Sequence, residues 1–215
     1  TGVGYNAGVA LTTGNRNTAL GSGSLASDMA GNNNVAVGYN AMAASSGSDN
    51  TAVGSAALST LAGGTRNVAV GTDALLTFDS DDNTAVGYHA SRSMINGANN
   101  VSMGSYAMFS NLNGTEGVAI GAEALYSTTA AGNTAVGYQA ITNVSTGVHN
   151  VAVGHQVGSA LTTGSRNVLV GKGANTAGGS AGTVSDSVII GSATTTNVNE
   201  SVSIGYNTSV AGLRG

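Results

Sequence analysis

Asn34-Val35-Ala36-Val37-Gly38 is followed by Asn50-Thr51-Ala52-Val53-Gly54, Asn67-Val68-Ala69-Val70-Gly71 and Asn83-Thr84-Ala85-Val86-Gly87. The phrase returns at Asn133 to Gly137, Asn150 to Gly154 and Asn167 to Gly171. Looser copies end at Gly21, Gly104, Gly121, Gly191 and Gly205. Counted from Gly4 to Gly205, the closing glycines are spaced by 17, 17, 16, 17, 16, 17, 17, 16, 17, 17, 20 and 14 residues. One period therefore runs through the chain, and 1–215 reads as a single repeat domain without a linker.

Each place in the phrase has a physical reading. Val, Ile or Met precedes the Gly, and Val or Thr stands two residues earlier, with a small residue between them. That is period-2 alternation with β-branched residues, hence a short strand. The expectation is that the branched residues face a core and the Ala faces the other way, against something packed too closely for a larger side chain. The repeat glycines Gly38, Gly54, Gly71, Gly87, Gly104, Gly121, Gly137, Gly154 and Gly171 end the strand. Lacking Cβ, they admit φ > 0 or the close approach of another backbone. Asn34, Asn50, Asn67, Asn83, Asn133, Asn150 and Asn167 stand four residues before the Gly. Asn suits a left-handed corner, and stacked Asn can form a side-chain ladder. After the Gly comes a second phrase, as in Tyr39-Asn40-Ala41-Met42 and Thr72-Asp73-Ala74-Leu75, which reads as a second short strand or extended corner. A loop rich in turn formers completes the repeat.

The composition agrees with a repeat rather than an ordinary globular domain. Glycine numbers 34 of 215 residues and charged residues only 7 %, against roughly 25 % in typical domains. The absence of Cys excludes disulfides and thiolate metal sites, and the absence of Pro argues against collagen. Six Lys and Arg against ten Asp and Glu leave a net charge of −4 with no basic stripe, so nucleic acid is not an expected partner. Apolar runs are too short for membrane insertion. No signal peptide is visible, and the first residues read as the middle of a pattern, so a piece of a longer fibre chain is expected.

A 16–17-residue period is too short for a helical repeat or a propeller blade and fits one coil of a parallel β-solenoid. About 12 coils at ~4.8 Å each would make a rod roughly 60 Å long. Such a thin, aromatic-poor core gives little surplus over chain entropy. Copies packed side by side on the Ala face would remedy this, a homotrimer above all.

The last copies, Ser187-Val188-Ile189-Ile190-Gly191 and Glu200-Ser201-Val202-Ser203-Ile204-Gly205-Tyr206-Asn207-Thr208-Ser209-Val210-Ala211, resemble the head repeat of YadA-like trimeric autotransporter adhesins. The 14-residue step from Gly191 to Gly205 equals that family's coil length. The earlier Asn-Thr-Ala-Val-Gly-Tyr-x-Ala copies resemble a sister repeat of bacteriophage tail fibres and large bacterial surface proteins. The resemblance spans the whole chain and implies a left-handed parallel β-roll assembled as a homotrimer. Two departures stand out: Asn lies four rather than five residues before the Gly, and most coils carry two or three extra loop residues.

Site candidates are few. Gly21-Ser22-Gly23-Ser24-Leu25-Ala26 matches a dinucleotide fingerprint but lacks the long helix that must follow, so it reads as a repeat corner. Lys172, between two glycines, is likewise no phosphate loop. Asp79, Asp81 and Asp82 are the weak metal candidates, in a spacing unlike an EF-hand; an acidic solvent-exposed loop is the preferred reading. His89, His149 and His155 read as exposed corners, with a trimeric His ring as the alternative. Tyr5, Tyr39, Tyr88, Tyr138 and Tyr206 follow the Gly directly and would share one longitudinal line. Stacked aromatics bind sugars and equally cover a subunit seam; the seam is preferred. Arg16, Arg66 and Arg166 would pair with loop carbonyls or with acids of a neighbouring chain, or stay solvated.

No cofactor is expected and no enzyme, because the ten acids are scattered and no catalytic cluster repeats. The expected function is a structural and adhesive fibre segment, extracellular, in a phage tail fibre or surface fibre. It would hold a receptor-binding tip or itself bind a host glycan or protein. The alternatives are a bacterial cell-surface adhesin head and an ice-binding or surface-templating solenoid.

Overall fold

The computed structural model describes residues 1–27, 31–61, 63–176, 181–207 and 209–210. Thr208 and Ala211, quoted above in the last repeat, lie outside the described residues. Thirteen three- or two-residue strands form one sheet in sequence order along the axis, with one strand from each repeat. Every pairing in it is parallel and in register: Ala36 faces Ala52, Ala52 faces Ala69, and Ala135 faces Ala152. This is a parallel β-solenoid with a step of about 17 residues and essentially no helix. Among the described residues one 3₁₀ turn, Ala181–Thr183, occurs, and it sits in the longest coil.

The strands face the opposite way from the sequence expectation. Ala36, Ala52, Ala69, Ala85, Ala119, Ala135 and Ala152 are fully buried in the core. The β-branched neighbours stand on the outer side of the sheet, with Val53, Ile120 and Val153 at 37–40 % exposure. The reason is volume. Each coil is one chain wide, so its two walls lie close together. Opposite the strand Ala stand Leu25, Met42, Leu58, Leu75, Met108, Leu125 and Ile141, all buried. A small residue on one wall and a long one on the other fill that gap at native density. Branched residues on both walls would not fit. The packing of copies on the Ala face falls with this, because that face is the interior.

The corner also differs. The residues after each Gly are a turn, not an extended strand. The corner Gly has φ between 126° at Gly171 and 158° at Gly205. The second and fourth residues after it are left-handed, as at Asn40 (φ 52°) and Met42 (φ 50°). This folds the chain sharply while keeping its polar groups along the axis. Asn40 N–H donates to the Ser22 carbonyl at 2.9 Å, and Met42 N–H donates to the Ala57 carbonyl at 2.9 Å. The left-handed cost of each residue is offset by an inter-coil hydrogen bond. The second short strand begins later, as in Ala44–Ser45, Thr60–Leu61 and Thr77–Phe78.

The buried Asn is not the left-handed residue. That place belongs to its predecessor, such as Asn33, Asp49 or Arg66, all near φ 58°. The Asn itself forms the ladder. Its Oδ1 accepts the N–H of the equivalent residue one coil on: Asn34 from Asn50, Asn50 from Asn67 and Asn67 from Asn83, at 2.8–2.9 Å. Its Nδ2 donates to a loop carbonyl, as from Asn34 to Gly47 and from Asn50 to Gly64. One side chain thus satisfies two backbone groups inside the corner. Gly117 takes the Asn position in its coil, and its N–H donates to Asn100 Oδ1 at 2.8 Å. In the last two copies of the phrase Ser187 and Ser201 replace Asn, with their hydroxyls 3.2 Å apart.

Candidate functional site

In a solenoid the side chains at one repeat position form a column up the surface. Two such columns, the second and fifth residues after the corner Gly, change character in the middle of the chain. In the first coils they carry Asn6, Gly23, Asn40 and Ala56 beside Val9, Ala26, Ala43 and Ser59. From the Gly71 coil onward they carry Asp73, His89, Tyr106, Glu123, Gln139 and Gln156 beside Leu76, Arg92, Phe109, Tyr126, Thr142 and Ser159.

These residues touch across coils. Tyr88 stacks on His89 with ring centroids 3.8 Å apart, and both meet the edge of Tyr106. Phe109 packs against Tyr106 and stacks on Tyr126 at 5.2 Å and 16°. Partial burial, with Tyr88 close by, raises the Tyr106 hydroxyl above its ordinary range. Asp73 anchors the lower end, with His89 Nε2 and Arg92 Nε both 3.2 Å from its Oδ2. Offset rings on successive coils are a favourable aromatic arrangement.

Above Tyr126 the aromatic column stops. Thr142 and Ser159 take the next two places, and a groove of about 550 Å³ opens there. It is lined by Glu123, Tyr126, Gln139, Thr142, Asn143, Gln156, Ser159 and Gly173. Along one wall runs a polar chain: Gln156 Nε2 donates to Gln139 Oε1 at 2.9 Å, and Gln139 Nε2 donates to Glu123 Oε2 at 2.8 Å.

The sequence candidates fall elsewhere or are differently engaged. The five Tyr after the Gly are exposed but do not stack with one another, because at least one other residue, such as Ser22, Ser55, Ala122 or His155, separates each from the next in the column. Only Tyr88 joins the aromatic strip; Tyr138 lies 5.2 Å from His155. Asp81 accepts hydrogen bonds from the N–H and hydroxyl of Thr65, and Asp82 forms a two-pronged pair with Arg66 at 2.6 and 2.7 Å. Among the described residues no group of three or more acids or histidines is placed to hold a metal ion. Arg66 and Arg166 pair with acids of the next coil of their own chain, Asp82 and Asp186. Gly21 to Leu25 form an ordinary corner, with Leu25 in the core. His149 is an exposed left-handed residue. Tyr106, Phe109, Tyr126, Glu123, Gln139 and Gln156 were not singled out from the sequence. Aligning the repeats on the corner Gly and reading down each column would have found them.

No family model, no curated protein and no solved structure matches the chain.

Proposed function

We propose that the chain is a structural and adhesive fibre segment, a left-handed β-roll that assembles with two copies of itself into a trimeric rod. The observation that supports this is the outer side of the 13-strand sheet. Its two columns read Thr18, Val35, Thr51, Val68, Thr84, Val101 and onward beside Leu20, Val37, Val53, Val70, Val86 and Met103. A continuous apolar face of this length is rare on a monomer and marks an interaction surface. Identical coils make it straight and self-similar, which suits closed symmetric packing of like chains. The seam is thus assigned to the Val columns, not to Ala or Tyr. An extracellular rod of a phage tail fibre fits best, with a cell-surface adhesin head as the alternative.

The solution mass by light scattering tests this. Three times the 20.7 kDa chain mass is expected, and a folded monomer contradicts it. The same face favours one second reading. Because Thr51, Thr84 and Thr134 project outward rather than into a core, a flat Thr- and Val-bearing surface is available to template ice. A folded monomer with thermal hysteresis would establish that reading; a monomer without it would remove both.

A further inference from the structure

We infer that the groove above Tyr126 is a binding site for a neutral glycan, a proposal that names the ligand class for the adhesive part of the reading above. Three features carry it. First, Phe109 and Tyr126 form a stack that ends at the groove, where the next place in the column carries only the small Thr142 and the groove leaves room for a ring to continue the stack. A pyranose presents an apolar C–H face to an aromatic ring and hydroxyls around its rim. Second, the groove wall supplies what hydroxyls need. Glu123, Gln139 and Gln156 are held in a hydrogen-bonded chain, which fixes their orientation before a ligand arrives. Each amide uses one N–H in that chain and keeps a second, and Glu123 keeps acceptor capacity at its carboxylate. Thr142, Asn143 and Ser159 add side chains that both donate and accept. Third, no cation lines the groove and one carboxylate does. Sialic acids, uronates and phosphates are disfavoured by this charge. The walls are formed before binding, which lowers the ordering cost of association.

The site is confined to the middle coils. The same columns near the amino terminus carry only small or short side chains, so they offer neither a ring nor an amide chain. A scaffold role alone does not ask for this change, since one small residue per place would repeat equally well.

Calorimetry on the purified chain with cellohexaose, chitohexaose and maltohexaose tests the proposal, with hexagalacturonate as the anionic control. At least one neutral hexaose is expected to bind at millimolar concentration, and hexagalacturonate is not. Tyr126→Ala should weaken that binding at least tenfold, while Tyr126→Phe keeps it. Gln139→Ala should weaken it severalfold. Thr142→Trp, which fills the groove without removing a packed ring, should abolish it, and serves where Tyr126→Ala fails to fold. Failure of all three neutral hexaoses, equal or stronger binding of hexagalacturonate, or unchanged binding in folded Tyr126→Ala or Thr142→Trp would overturn the site. Light scattering on the same sample separates this from the fibre reading. A trimer that binds none refutes the groove alone, and a monomer that binds refutes the rod alone.

Discussion

Gly54 and Gly173 both have positive φ, at 139° and 65°, but only Gly54 is pinned by its surroundings. A Cβ on Gly54 would run into the carbonyl of Gly71 one coil on, whereas a Cβ on Gly173 would meet nothing within 4 Å. Gly173→Ala should therefore cost only its backbone strain, about 1 kcal/mol. Gly54→Ala should cost about 3 kcal/mol or more, because two coil backbones must part. Chemical denaturation of both variants checks this, and equal losses would contradict it. At the surface, hydrogen bonding to Arg66 holds the Asp82 carboxyl below its ordinary range, and Arg166 does the same for Asp186. A lowered folded-state pKa gives stability that is present above the unfolded value and lost as pH falls through the folded one. Both pairs are exposed and screened by salt, so the effect on stability is small. In an NMR titration Arg66→Gln should move Asp82 up to the ordinary range and leave Asp186 unchanged. An unmoved Asp82 would contradict the pairing. At this scale the sequence was largely readable. The corner Gly and the Asn ladder follow from what those side chains uniquely do. The left-handed Leu, Met and Ile do not, because their intrinsic preference points away from φ > 0 and only the inter-coil hydrogen bonds make it worthwhile.

A single strand such as Thr51–Val53 states its alternation plainly but not which side is inside. Both sides of the sheet carry apolar residues, so polarity gives no direction. The decision comes from the facing wall, where Leu58 or Leu75 leaves room only for Ala. That wall was misread as extended, so the volume argument could not be made from sequence. One coil shows how strictly the interior is matched. Ser102 replaces the strand Ala, Ser91 replaces the facing Leu, and both are buried with Ser91 Oγ donating to Ser102 Oγ at 2.8 Å. Removing Ser102 leaves the buried Ser91 hydroxyl without its acceptor, and removing Ser91 leaves Ser102 Oγ with only its long 3.4 Å bond to the Thr84 carbonyl. Ser91→Ala and Ser102→Ala should each cost about 1–2 kcal/mol, and the double variant less than their sum by about 1 kcal/mol. A double-mutant cycle by urea denaturation measures this; strictly additive losses would show that the pair is not coupled.

Across the whole molecule, the period alone defined a parallel solenoid, because a 16–17-residue step admits few other folds. The aromatic strip and groove are legible only once the repeats are aligned on the corner Gly and read down each column, since their residues lie 16 or 17 apart in sequence and meet only through stacking of the coils. The outer face was legible in content but assigned to the interior. Its corrected place turns the branched columns from a core into the surface on which copies would meet. The chain contains no Cys, so a single one can report on that surface. The rate of thiol labelling of Val153→Cys, within the Val columns, compared with His149→Cys on the exposed corner, is the most direct measurement. If copies meet there, Val153→Cys should be protected severalfold or more under native conditions while His149→Cys reacts freely. Equal rates in the folded protein would mean that the Val face is open to water and that the rod is not built on it.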